Sequence, residues 1–261
     1  MMKKVLSVAA LAAAIVMVSC QQDESLISQE VSQVTLDRIS ALGFGTQDVQ
    51  RVDGGYLVEG DIMLHEHDLE GAAVKKHLNV GQAEQYRTTN LVAGPRNITV
   101  SISGSNIPAA FSTSVNNALA RYNAENIGLT FTRVASGGDI VIRLVNTRQY
   151  IASAGFPSGG NPYNQISYAR TYASGYSDGF MTTVVAHEIG HCIGFRHTDY
   201  MDRSYSCGGA TANEGASTVG AIHIPGTPTT ADPGSWMLAC LGASTNRPFN
   251  NNDKTALSYL Y

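Results

Sequence analysis

The chain is poor in charge, in cysteine and in long apolar runs, and each shortage closes off a class of protein. Only 15% of its 261 residues are charged, and 17 basic against 21 acidic side chains leave a net charge of −4. With no block of Lys and Arg, neither nucleic acid nor an anionic membrane surface is expected as the main partner. Four cysteines are too few for a disulfide framework in a chain of this length, and they lack the paired spacing of a cysteine zinc site. The longest apolar run, residues 5–18, has 14 positions, short of the ~20 that a membrane-spanning helix needs. No internal repeat is present, which argues against solenoid and propeller architectures.

What the chain does contain is 43% apolar residues, enough for one or two globular domains with a real core, and 26 glycines, many in Ser/Thr/Asn-rich stretches that read as loops. The N-terminus has the layout of an export signal. Lys3 and Lys4 precede the apolar run, which ends in Met17-Val18-Ser19-Cys20. That ending resembles a bacterial lipobox, with Met17 where Leu is usual; the resemblance implies acylation of Cys20 and a lipid anchor to the membrane. Plain secretion with cleavage nearby is the alternative. The polar Gln21-Gln22-Asp23-Glu24 that follows suits a tether and resembles the surface-export tails of Bacteroidetes-type lipoproteins. The expected location is extracytoplasmic: the outer membrane or cell surface of a Gram-negative bacterium, or secreted after processing. There, Cys192, Cys207 and Cys240 can form one disulfide and leave one thiol, and the sequence does not choose the pair.

Residues 187–197, His-Glu-Ile-Gly-His-Cys-Ile-Gly-Phe-Arg-His, carry the chemistry. They fit H-E-x-x-H-x-x-G-x-x-H at all five fixed positions. His187 and His191, four apart, share one helix face and can grip a single metal ion. Glu188 lies beside them within reach of an activated water. Gly194 can take positive φ, so the helix can end there and return His197 to the ion. Three neutral imidazoles, an open position and a carboxylate are the parts of a hydrolytic zinc site, since structural sites close the fourth position with protein. A core helix that merely happens to carry histidines would bury four polar side chains without a use.

This run resembles the metzincin clan of zinc metallopeptidases and, within it, the bacterial HEIGH metallopeptidases of the M57 type; the stretches 220–228 and Asp232-Pro233 also look like that family. The resemblance covers about residues 50–261. It implies an α+β fold: a mixed twisted sheet with an active-site helix, then a loop-rich C-terminal subdomain with a Met-turn, for which Met237 of Ser235-Trp236-Met237 is the candidate. It further implies one Zn²⁺ per chain and a protein or peptide substrate, whose backbone is taken by a cleft-edging strand, the third element of the domain. Ala239 stands where astacins and serralysins place a tyrosine that helps hold the transition state; Tyr200 or Tyr205 can substitute. Val58-Glu59-Gly60-Asp61 resembles the F-x-G-D stretch of astacin pro-segments, whose aspartate plugs the zinc, so Asp61 is a candidate latency ligand. The plainer reading is that Asp61 ends a strand.

The organisation expected is a signal peptide over 1–20, a tether and candidate pro-segment over 21–95 with cleavage near Arg87–Arg96, and a catalytic domain over 96–261, working as a monomer. Residues 34–42 read as a helix stopped by Gly43, and 49–64 as strands turning at Asp53-Gly54-Gly55. Residues 75–95 read as a linker. Alternation at Ile98, Val100 and Ile102 gives a strand, and Phe111, Val115, Leu119 and Tyr122 a helix running to Gly128. Further strands are expected over 129–134, 139–145 and 165–169, a loop over 146–164, the metal helix over 179–194 and a terminal helix over 252–260. The irregular stretch 198–235 is long enough to be functional. Asp199 after the third histidine is either a family mark or a cap. His65-Glu66-His67-Asp68 points its residues to different sides and reads as a solvated turn. His77 and His223 read as surface histidines. Trp236 lines the pocket or belongs to the core. Two rivals to a zinc endopeptidase stand: a non-catalytic surface binding protein on a metallopeptidase fold, against which an intact Glu188 speaks, and a structural zinc protein, which lacks an evident fourth ligand.

Overall fold

The computed structural model describes residues 31–70, 85–216, 219–228 and 230–261. The lipobox with Cys20, the tether and His77 lie outside the described residues. In chain order come α1 (Gln33–Leu42), β1 (Gln50–Val52), β2 (Gly55–Val58), β3 (Ile62–His65), β4 (Tyr86–Arg87), β5 (Arg96–Ser103), α2 (Ala109–Asn123), β6 (Leu129–Arg133), β7 (Ile140–Val145), β8 (Ala152–Ser153), β9 (Gln165–Ala169), α3 (Asp178–Ile193), a helical turn α4 (Ser204–Cys207), β10 (Ile222–His223) and α5 (Asn251–Leu260). The fold is α+β.

Its centre is a five-stranded sheet in the order β6-β5-β7-β9-β8. β5, β6, β7 and β9 run parallel, and β8 turns back antiparallel on β9. The alternation at Ile98, Val100 and Ile102 puts those three side chains inside, where they meet Phe111, Val115, Leu119 and Tyr122 of α2 and the apolar side of α3 in one core. α3 is buried from Phe180 to Ile193, as expected of a helix apolar almost all round. α2 and α3 are tied by more than packing: Tyr122 Oη donates to Ala186 O at 2.7 Å, and the Asp178 carboxylate accepts from Ser114 at 2.6 Å and Asn117 at 2.9 Å.

A second, smaller core gathers Ile39, Phe44, Tyr56, Val58, Ile62, Leu64 and Leu69 from α1 and the antiparallel sheet β1-β2-β3, with Phe156 and Val219 packed against it from the main body. Ser32 caps α1 and Gly43 ends it at φ 97°. β3 docks on the cleft edge beyond β8: Met63 N donates to Ala154 O at 2.8 Å, and Ala154 N to Asp61 O at 2.9 Å.

Several expectations need correction. α2 stops at Asn123, before Gly128, because Asn126 takes φ 51° and the Asn123 side chain turns to bond the backbone of Phe131. The expected linker is not one over its described part. Gln85, Tyr86, Thr88 and Val92 are buried, β4 pairs with β10, and Thr88 N donates to Gly194 O at 2.8 Å. The third element of the domain, β6, lies at the far edge of the sheet; the cleft is edged by β8, whose two residues are too few to stand out as a periodic pattern. Cys207 pairs with Cys240, leaving Cys192 a buried thiol on α3; burial pushes that thiol well above its usual pKa range.

Candidate metal centre

α3 is built to deliver the first two histidines. Ser177 caps it by accepting from Phe180 N at 3.2 Å, Asp178 sits in its first turn, and Gly194 ends it at φ 114°. A Cβ on Gly194 would lie 2.8 Å from the Leu91 side chain and 3.0 Å from Asn90 O, so this position needs glycine for both its conformation and its neighbours. The chain then reverses, and Arg196 N bonds to Tyr86 O at 2.9 Å. His197 comes back to the ring of His191.

The three imidazoles converge. His191 Nε2 lies 3.0 Å from His187 Nε2 and 3.2 Å from His197 Nε2. Their other nitrogens are engaged: His187 Nδ1 with Trp236 O at 2.8 Å, His191 Nδ1 with Phe195 O at 2.9 Å, and His197 Nδ1 with a Glu214 carboxylate oxygen at 2.7 Å. Carbonyl and carboxylate oxygens only accept, so each Nδ1 carries a proton and the three Nε2 atoms are turned inward. Asp61 Oδ2 joins them at 3.0 Å from His197 Nε2, 3.3 Å from His187 Nε2 and 3.9 Å from His191 Nε2. Four electron-rich atoms meeting in a buried place fit a cation at their centre. The electrostatics differ from ring to ring. Burial pushes the His191 imidazole down to about 3 and keeps it neutral. Burial also opposes charge on His197, yet Asp61 and Glu214 hold that ring well above the ordinary range. Asp61, although buried, is held well below the carboxylate range by His197 and the imidazole hydrogen bonds.

Glu188, one residue after the first imidazole, is buried, and its Oε2 has no hydrogen-bond partner. Burial, with the Asp61 charge next to it, pushes its pKa well above the usual carboxylate range. Met237 lies in a turn in which Leu238 N bonds back to Ser235 O at 3.4 Å, while Met237 O accepts from Thr198 N at 2.8 Å. Its sulfur packs on α3 at Gly190, where a Cβ would come within 2.5 Å of it; the glycine of His-Glu-Ile-Gly-His is there to let the sulfur in. Trp236 is both core and pocket: it is buried, and it lines a cavity of about 270 Å³ beside His187 and Glu188 that is walled by Ile151, Ala152, Leu238 and Leu241.

Asp61 does more than end a strand. It belongs to the tip Glu59-Gly60-Asp61 of the β2–β3 hairpin, where Glu59 and Gly60 have φ of 55° and 87°. It supplies a fourth protein donor, so the expectation that no such ligand is present is corrected. Asp199 is a loop brace that accepts from Ser206 and from Ala239 N. His65–Asp68 form a single turn with His65 bonded to Tyr163 Oη at 2.8 Å, and no metal-holding group arises there among the described residues. Tyr200 packs on Tyr86, Tyr205 is exposed on α4, and neither lines the cavity, whereas Tyr150 does.

Two groups were missed by sequence reasoning. Glu214 braces His197 from inside the irregular stretch, and its one signal was that stretch's unusual length. Glu59 is buried against Arg196, whose Nη2 donates to both its oxygens at 2.9 and 3.0 Å. Burial pushes the Glu59 carboxyl up, and the Arg196 guanidinium bonded to both its oxygens pulls it back toward the ionised form.

A family model described as the dual-action HEIGH metallopeptidases, M57, matches residues 57–261. Among solved structures, a crystal structure of myroilysin aligns at 18% identity and a TM-score of 0.33, over 42% of this chain and 47% of that one, so the chain spans about half of its length. A second structure of myroilysin aligns at 15% identity and a TM-score of 0.43, over 65% of this chain and 81% of that one. Both scores are too low to add to the family match. No curated protein matches the chain.

Proposed function

The chain belongs to the M57 family of HEIGH metallopeptidases, and from that membership we propose that it is a zinc-dependent endopeptidase, with His187, His191 and His197 as ligands and Glu188 as general base. The observation that carries the reading is the meeting of three imidazole Nε2 atoms whose Nδ1 atoms are all engaged elsewhere. Imidazole and carboxylate donors suit zinc. When bound, zinc supplies Lewis acidity, polarising a scissile carbonyl and making water nucleophilic near neutral pH.

The rest falls to the chain's own groups. Glu188 accepts a proton as water adds to the carbonyl carbon and hands it to the amine that leaves as the C–N bond breaks. Trp236 O, Phe195 O and Glu214 fix the imidazole planes so that no reorganisation is needed during the reaction. Met237 is the residue of the Met-turn and floors the site without ligating. The edge at β8 takes the substrate backbone by strand addition, and the cavity beside Glu188 takes an apolar side chain.

The hairpin tip gives the site its latent form, with Asp61 in the position a substrate needs. Residues 85–95 are bonded into the body next to the third histidine, which favours a pro-segment boundary before Gln85 rather than at Arg87–Arg96. Anchoring through Cys20, an extracytoplasmic location and action as a monomer complete the proposal.

The test is digestion of casein or gelatin by the purified protein, with and without a chelator. Chelator-reversible digestion that disappears in Glu188→Ala, while zinc content is kept, supports the assignment; an active Glu188→Ala protein refutes it. A structural zinc protein or a binding module digests nothing.

A further inference from the structure

The peptidase reading, on which this inference rests, treats the hairpin tip as a removable plug, and the tip carries two carboxylates. Asp61 faces the imidazoles. Glu59 faces Arg196, whose side chain is fully buried. The guanidinium is held mainly by groups beyond the metal helix: Nη1 donates to Gly215 O at 2.8 Å and Gly220 O at 3.3 Å, and Tyr200 presents its ring at 5.3 Å. Among the described residues, the N-terminal unit contributes Glu59 and, at 6.0 Å, the Phe44 ring. When the hairpin leaves, Arg196 keeps its scaffold and loses its charge partner.

Among the described residues the one other carboxylate near Arg196 is Glu214, whose Oε2 has no hydrogen bond of its own. Glu214 comes within 3.8 Å of Arg196, but it already braces His197 at 2.7 Å and pairs with Arg203 at 3.1 Å. Arg203 also presses on the tip, since a Cβ on Gly60 would lie 2.8 Å from its Nη2. Without Glu59, two guanidinium groups share one carboxylate. An uncompensated cation in such a place is costly, so the seat draws an anion. It is also close to the reacting centre: ligand atoms of Glu59, His197 and Glu214 lie within 4.8 Å of one another.

We propose that the seat of Glu59 is an anion subsite of the cleft, built on Arg196 and flanked by Arg203, that takes a carboxylate of the peptide substrate once the tip has gone. The carboxylate is an acidic side chain near the scissile bond or a free C-terminus; basic and neutral peptides leave the seat unfilled.

Two measurements test this. The first needs no catalysis. In the full chain carrying Glu59→Ala and Glu188→Ala, the seat is open and self-processing is off. Propionate should raise the melting temperature and propionamide should not, with no propionate effect in Glu188→Ala alone; equal effects of the two probes overturn the subsite. The second uses the self-processed wild-type protein on peptides paired as Glu against Gln at each position within three residues of the cut, and as free acid against C-terminal amide. At least a tenfold gain in kcat/KM for one member identifies the source of the carboxylate and supports the proposal, whereas equal rates throughout overturn it. Cleavage of no peptide at all refutes the peptidase reading instead, and the propionate result then decides the subsite alone. Arg196→Gln should erase the preference. Where that variant fails to fold, Arg203→Gln, at a partly exposed side chain, should reduce it.

Discussion

The two hydrophobic cores are built on different terms. The main one is closed by its own elements: α2 and α3 cover the parallel sheet, and Tyr122 and Trp236 both donate to the carbonyl of Ala186, the residue before the first histidine. The smaller one is not self-sufficient. It borrows Phe156 and Val219 from the body, and its polar tip ends inside the other unit, on Arg196 and the imidazoles. Phe156 stands at the junction, stacked on Phe44 at 6.1 Å and edge-on to His191 at 5.5 Å. One core holds the fold together. The other holds the hairpin tip in place, and much of what holds it is charge.

Removing the chemistry should leave both cores standing. Glu188→Ala is expected to cut peptidase activity by about 10²–10⁴-fold with zinc content and unfolding midpoint close to wild type. His187→Ala should lose zinc as well, as elemental analysis would show. Phe111→Ala, deep in the main core, should cost about 3–5 kcal/mol of global stability in denaturant titrations. Phe156→Ala, at the junction, should leave global unfolding nearly unchanged but loosen the N-terminal unit, read as faster hydrogen exchange in β2 and β3 and faster self-processing. Asp61→Ala should also speed processing, and a rate equal to wild type would remove its latency role. Reducing the Cys207–Cys240 bridge, which closes 33 residues, is expected to cost about 3–4 kcal/mol.

A last test reads the main body through pH. Asp253, in the main body, is pushed up to about 7 by burial, despite the hydrogen bonds it accepts from Asn250, Gln85 and Trp236. Unfolded, it ionises near 3.9. Between those values the folded chain keeps a proton that the unfolded chain has released, so this contribution is full at pH 4 and is lost as pH rises to about 7. Asp253→Asn should flatten that fall in the unfolding midpoint. A wild-type slope unchanged by the substitution would show that the carboxyl is ionised throughout.

The parts of the molecule readable from sequence were those with short-range rules. His187 and His191 are set by helix geometry, α1 by the glycine that stops it, and β5 by alternation. Gly194 announced the turn to His197. What escaped reading depends on distant partners. Glu59 and Arg196 are 137 positions apart, and Glu214 meets His197 from a segment with no periodicity. β8 is two residues long, so nothing in its sequence marks the cleft edge. The segment from Gln85 looked like a linker because its polar side chains are satisfied by bonds the sequence does not show, such as Gln85 to the Asp253 carboxylate at 2.5 Å. Asp61 was visible as a resemblance; that Glu59 would be its twin was not.

Cys192 offers an unplanned instrument. It sits on α3 between the second and third imidazoles, wholly enclosed, while the other described cysteines are spent in their bridge. A thiol so placed is silent to alkylating reagents until the helix around it lifts away. Its labelling rate is therefore a stopwatch for breathing of the catalytic helix, readable by mass spectrometry in the unmodified chain, and it should slow when zinc is added if the ion clamps that helix shut.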